Sequence, residues 1–128
     1  SPAAAEINTE QMEFVRHSVE VYKNFIRPFL AESKIYHHTP DVKNNEFSVL
    51  EIAAPDGKRG AIAAFALAGV KGRLTVRAKG VDQSENYKVT LDNDRESFVV
   101  SGRELKQKGI IIDIPASLSS ELILYEAE

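Results

Sequence analysis

Ala61-Ile62-Ala63-Ala64-Phe65-Ala66-Leu67 and, a few residues later, Arg73-Leu74-Thr75-Val76-Arg77-Ala78-Lys79 decide how this chain folds. The second stretch alternates. On an extended strand Leu74, Val76 and Ala78 share one face, and Arg73, Thr75, Arg77 and Lys79 share the other. Such a strand has one side in a core and one in water. The first stretch is apolar on both faces, which suits a central strand covered from both sides. Its alanines would let a neighbouring layer approach closely. Between the two lies a break at 69–72 with a glycine at each end, which suits a turn.

Working outward, the same short period-two runs recur at 47–53, 87–91, 97–100, 110–114 and 121–126, beside 60–67 and 73–79. The breaks carry turn chemistry: Pro55-Asp56-Gly57, the 80–86 stretch, Asp92-Asn93-Asp94 and the 115–120 stretch. Ser101 with Glu104 has capping-box spacing and Gly109 follows, so a brief helical turn is expected over 104–108. Many short strands at close spacing predict a mainly β fold, an antiparallel Greek-key β-sandwich of about seven or eight strands. Only one long helix is present, so βαβ crossovers cannot be built.

That helix is read over residues 8–30. Asn8 is a suitable N-cap, with Gln11 three residues on. Met12, Val15, Val19, Tyr22, Ile26, Phe29 and Leu30 form one apolar set, and Phe14, Val21 and Phe25 a second beside it. At about 100° per residue the two cover roughly half the circumference. Glu13, Arg16, His17, Glu20, Lys23, Asn24 and Arg27 take the other side. Pro28 disfavours helical geometry at Arg27, so a kink or fresh turn is expected there. The period changes after Tyr36, which divides the chain into an N-terminal helical segment with its linker, residues 1–38, and an antiparallel β-sandwich, residues 39–128.

Composition narrows the function classes. The 128 residues suffice for one hydrophobic core. With no cysteine, disulfides, thiolate metal sites and Cys nucleophiles are excluded. A net charge of −3 points to neither nucleic acid nor an anionic membrane as partner. No apolar run approaches the roughly 20 residues of a membrane span. Ser1-Pro2-Ala3-Ala4-Ala5 lacks the basic region and long apolar stretch of a signal peptide and reads as a linker end. A soluble chain is expected, its compartment open.

No set of residues assembles into chemistry. His37 and His38, adjacent on extended chain, point to opposite sides and cannot easily share a metal. They and His17 read as surface histidines. Asp92 and Asp94 flank Asn93 in a turn that explains all three, and the segment lacks the Gly and distal Glu of a calcium loop. No G-x-S-x-G nucleophile elbow is present. Arg73, Arg77 and Lys79 make a weak candidate binding surface for an acidic partner or sugar acid, although a solvated outer face explains them too. Carbohydrate modules usually present aromatic platforms; there is no Trp, and only Tyr36 and Tyr125 are candidates for one. Catalytic, cofactor and metal residues: none is expected.

Several short motifs resemble one family. Val21-Tyr22-Lys23-Asn24-Phe25-Ile26-Arg27-Pro28, followed by Ile35-Tyr36, is similar to the last barrel helix of family thirty-six glycoside hydrolases, the α-galactosidase group. Gly80-Val81-Asp82-Gln83 before Tyr87-Lys88-Val89 resembles that family's Gly-Leu-Asp-Pro and Tyr-x-Val segments, with Val81 and Gln83 departing from the pattern. Ser101-Gly102-x-x-Leu105 with Gly109-Ile110 resembles its Ser-Gly-x-x-Leu stretch and the strand after it. Ser120-Glu121-Leu122-Ile123-Leu124 is similar to its closing strand. The resemblance implies a non-catalytic C-terminal sandwich that packs against and supports a catalytic barrel absent from this chain. The nucleophile and acid/base aspartates would lie in that barrel, and no residue here matches their motifs. With the barrel absent, Val15, Val19, Tyr22 and Ile26 are expected to form an interdomain or self-association face, which would allow a homodimer. The rival reading is an independent carbohydrate- or protein-binding sandwich that uses Arg73, Arg77 and Lys79.

Overall fold

The computed structural model describes residues 9–38, 47–66, 72–115 and 120–128; the side chains of 10, 11, 14 and 15 lie outside that description, as does the expected Asn8 cap. The long helix forms in three pieces: α1 (Thr9–Val21), a π turn (Tyr22–Ile26) and α2 (Arg27–Leu30). The fresh turn expected at Arg27 is found, with α2 starting there, and it is preceded by the π turn. An α-helical Pro28 would press its ring on the Asn24 carbonyl. The wider π turn gives it room, and the Arg27 N–H bonds to the Tyr22 carbonyl instead. Ser33 ends the helix: its N–H and its hydroxyl both donate to the Leu30 carbonyl, at 3.1 and 2.7 Å.

Eight strands follow: β1 (Lys34–His38), β2 (Phe47–Ala53), β3 (Arg59–Ala66), β4 (Gly72–Val76), β5 (Asn86–Leu91), β6 (Glu96–Ser101), β7 (Ile110–Ile114) and β8 (Ser120–Ala127). α3 (Gly102–Gln107) precedes β7, and its Ser101 cap accepts the Glu104 N–H at 3.0 Å. Seven strands lie near where the sequence period puts them, but the one expected over 73–79 ends at Val76, because the Ala78 and Lys79 N–H groups turn to the Leu105 carbonyl and to Glu51. β1 is new: the stretch read as a linker pairs with β2 from Lys34↔Ala53 to His38↔Val49. The sheet therefore begins within the segment that sequence assigns to helix and linker.

The strands make two antiparallel sheets, one ordered β1-β2-β3-β8-β5-β6 and one of β4 with β7. Pairs β3·β8, β4·β7 and β5·β6 are nested like the arms of a rolled-up hairpin, and β8 returns beside β5. That is Greek-key connectivity of the jelly-roll kind. Between the sheets lies one core. Phe47, Val49, Ile62, Ala64, Val89 and Ile123 come from one side and Leu74, Val76, Ile112 and Ile114 from the other. Tyr87 and Tyr125 meet edge to face, ring centres 5.6 Å apart. Gly60 and Gly80 make room for Tyr125: a Cβ on Gly60 would sit 2.1 Å from its ring, and one on Gly80 2.9 Å from its hydroxyl.

Central strand β3 is covered on both faces only over its first half. Ile62 and Ala64 face the core, while on the other side the cover falls away along the strand, leaving Ala63 half-buried and Phe65 exposed. Ala61, on that outer side, is almost fully buried. The Arg59 guanidinium stacks over the Phe25 ring at 4.5 Å, worth about 1 kcal/mol.

Candidate functional site

Two buried carboxylates are the first places to look for chemistry. Glu51 sits among inward residues of β2 and is fully buried. Each of its oxygens takes two donors. Oε1 accepts from His38 Nε2 at 2.7 Å and from the Lys79 N–H at 2.8 Å. Oε2 accepts from the Gly80 N–H at 2.8 Å and the Tyr125 hydroxyl at 2.7 Å. Burial pushes the Glu51 pKa up, but the His38, Tyr125, Lys79 and Gly80 bonds outweigh it and hold the carboxyl below its ordinary range. Since the carboxylate only accepts, His38 Nε2 carries its hydrogen toward Glu51. Burial, and then the neighbouring Glu51 charge, push the Tyr125 hydroxyl well up. With all four acceptor positions occupied, Glu51 is a fastener: it ties β1 and the chain after β4 to β2.

Glu121 is its counterpart on β8. Oε1 accepts the Asn93 and Leu122 N–H groups at 3.0 and 2.9 Å. Burial outweighs these bonds, and Asp92 and Asp94 add to it, so the carboxyl lies above its ordinary range. The Asp92-Asn93-Asp94 segment is the β5–β6 turn that its sequence indicates. The Asn93 side chain also donates to the Ser120 carbonyl at 2.7 Å. This anchored turn receives the helix: His17 Nε2 bonds to Asp92 Oδ1 at 2.6 Å. His17 and His38 are thus not the surface side chains the sequence suggested, because each finds a carboxylate distant in sequence; His37 is exposed. Among the described residues no group of three His, Asp or Glu could hold a metal.

The helix has two unlike sides. His17, Val21 and Phe25 are half-buried toward the sandwich. On the other side Met12, Val19 and Tyr22 stay 47, 44 and 43% exposed. Of the expected face, Val19 and Tyr22 are in solvent, Ile26 is half-buried, and the Val15 side chain lies outside the described residues. Arg73, Arg77 and Lys79 do not line one strand, because β4 ends at Val76. Arg73 pairs with Asp113 across β7 at 3.0 Å, the Arg77 Nε–H donates to the Gln107 carbonyl at 3.3 Å, and Lys79 Nζ reaches the His37 carbonyl at 3.3 Å. The two tyrosines considered as sugar platforms are not available: Tyr125 is core and Tyr36 packs against it. The sequence reading also missed Phe65, 51% exposed beside the helix.

The described residues define a jelly-roll β-sandwich with a helix docked across one sheet. The same architecture occurs within α-galactosidases. The α-galactosidase from Lactobacillus brevis superposes with a TM-score of 0.75 at 18% identity, over 96% of this chain and 17% of that one. A GH36 α-galactosidase from Geobacillus stearothermophilus in complex with raffinose gives 0.73 at 17% identity, again over 96% and 17%. The galactosidase domain of an α-galactosidase-sucrose kinase gives 0.72 at 14% identity, over 94% and 16%. The resemblance read from the sequence is thus matched in three dimensions, and the chain spans about one sixth of the length of these enzymes. No protein-family model and no curated protein sequence matches the chain. Among the described residues no helix is long and apolar enough to cross a membrane.

Proposed function

We propose that this chain is the non-catalytic C-terminal accessory domain of an α-galactosidase-like glycoside hydrolase, and that it packs against and supports the catalytic barrel of its parent. α1, the π turn and α2 are then the barrel's last helix. The helix leads out of the barrel, and the chain from β1 onward builds the sandwich. The observation that carries this reading is the two-sided helix. One side is fixed to the sandwich through His17–Asp92 and Phe25–Arg59. The other leaves Met12, Val19 and Tyr22 in solvent, where a neighbouring barrel element would cover them. The likeness to a segment that makes up 17% of α-galactosidases supports it, since most of such an enzyme lies outside this chain.

Sedimentation of the isolated chain tests the reading. The uncovered face, with Met12, Val19 and Tyr22 in solvent, should drive self-association at micromolar concentration. Val19→Glu with Tyr22→Glu should return the chain to monomer while its circular dichroism stays unchanged. A wild-type chain that is strictly monomeric would overturn the docking face. Turnover of a nitrophenyl galactoside by the chain alone would overturn the non-catalytic assignment.

A further inference from the structure

Where the helix crosses the Phe65 end of β3, a cleft of about 190 Å³ opens between helix and sheet. It is lined by Ser18 of α1, Ala63 and Phe65 of β3, Asp92 and Asn93 of the β5–β6 turn, and Ser120, Glu121 and Leu122 of β8. We propose that this cleft binds a single neutral pyranose ring, with Phe65 as the stacking platform and Asp92 and Ser18 as partners for its hydroxyl groups. The inference is independent of the proposed interdomain role.

Three features select this chemistry. Phe65 is half exposed although it adjoins the docked helix, so one part of its ring is open to a ligand. Ala63 and Leu122 continue the apolar surface beside it. The polar lining is unusually acceptor-rich and held in place. Asp92 Oδ1 is fixed by His17, and its turn by the buried Glu121, which lies on the core-facing side of β8 opposite Ala64 and accepts the Asn93 N–H. The second oxygen of Asp92, and the Ser18 hydroxyl, have no hydrogen-bond partner among the described residues. Asn93 is taken up by Ser120 and Glu121 and contributes shape rather than a free donor.

A ligand for such a site must bring hydroxyl donors and one apolar face. The carboxylates disfavour an anion such as a sugar acid. A metal is poorly served, because no set of three ligating side chains gathers among the described residues. A neutral sugar ring supplies donors around its rim and C–H groups on its face. The size agrees: sites for drug-sized ligands occupy about 300–1,000 Å³, so this smaller cleft suits one ring rather than an oligosaccharide. Prior immobilisation of Asp92 lowers the ordering cost of binding.

The test is an amide-resolved NMR titration of the 128-residue chain with methyl α-galactoside and, separately, methyl β-glucoside. At least one should give saturable shifts at Ser18, Phe65, Asp92, Asn93, Glu121 and Leu122, with a dissociation constant of about 1 mM. Phe65→Ala should weaken that affinity about tenfold or more, the equivalent of a single lost stacking contact. Ser18→Leu, at an exposed helix position, should fill the cleft and abolish binding. Both variants should retain the wild-type circular dichroism. Absence of saturation with both sugars, shifts confined to another surface, or binding that survives both substitutions would overturn the proposal.

Discussion

Replacing Glu51 is the sharpest test of how the fold is fastened. Four donors converge on its carboxylate, two of them backbone N–H groups that cannot turn away. Glu51→Gln keeps the volume but turns one oxygen into an NH₂ group. That group would face either the Gly80 N–H and Tyr125 hydroxyl or the Lys79 N–H and His38. Tyr125 can rotate its hydroxyl to accept; a backbone N–H cannot. One buried donor is left opposed, and the charge that strengthened all four bonds is gone, for a loss of about 2–3 kcal/mol. Glu51→Ala removes every acceptor and should cost about 4 kcal/mol, in the range for breaking a buried charged network. In urea the glutamine variant's midpoint should fall by about 1–2 M. The pH dependence gives a second reading. Because the folded carboxyl lies below its ordinary value, its contribution is fully present above the unfolded pKa of about 4.3. It is lost as pH falls through the folded value. The wild-type advantage over Glu51→Gln should therefore shrink on acidification below about pH 4.3. A glutamine variant within about 0.5 kcal/mol of wild type at pH 7 would refute the fastener account.

Glu121 should show the opposite sign, since its folded pKa is raised. Its cost appears as pH climbs through the unfolded value and is complete above the folded one. Glu121→Gln, which keeps an oxygen for Asn93 and Leu122, should therefore stabilise the chain at pH 7 relative to pH 3, as seen in paired urea titrations. Asp92→Asn should weaken the helix's hold on the β5–β6 turn by about 1 kcal/mol; hydrogen exchange should quicken in α1 while β3 and β8 stay protected. Gly60→Ala would drive a Cβ into the Tyr125 ring and should destabilise by about 1–3 kcal/mol, measured by thermal unfolding.

Strand positions are legible because one-sided burial imposes a period of two, as in β2, β4 and β5, while β3 stands out as an apolar run bounded by turns. β1 is not, for physical reasons. It has five residues, sits at an edge, and carries His37 and His38 where an apolar alternation would announce a strand. Its place is set by pairing with β2 and by the bond from His38 to Glu51, neither of which leaves a local mark. Glu51 itself did leave one. Reading β2 as a strand puts Phe47, Val49, Glu51 and Ala53 on one face, and an acid in an otherwise apolar inward row signals a buried partner. Tyr125 had the same signal, since it shares its face with Ile123. The helix was harder. Its amphipathicity showed a wide apolar face but not how that face is divided, and the His17–Asp92 bond spans 75 positions of sequence.

The division of that face bears on how helix and sandwich work as one body. α2 leads through Ser33 directly into β1, and His38 at the end of β1 is held by the same carboxylate that holds Lys79 and Gly80. A displacement of the helix therefore pulls on β1, and through Glu51 on β2 and the chain following β4. Within α1, His17 grips a turn already bonded to β8. The helix is attached to the sandwich at three places: by the His17 bond to the β5–β6 turn, by the Arg59–Phe25 stacking on β3 and by chain continuity into β1. In the proposed enzyme, whatever presses on Met12, Val19 and Tyr22 presses on the sandwich as a whole. This is the mechanical property a supporting domain needs, and it predicts that Glu51→Gln would loosen the barrel-facing helix although Glu51 lies in the sandwich core.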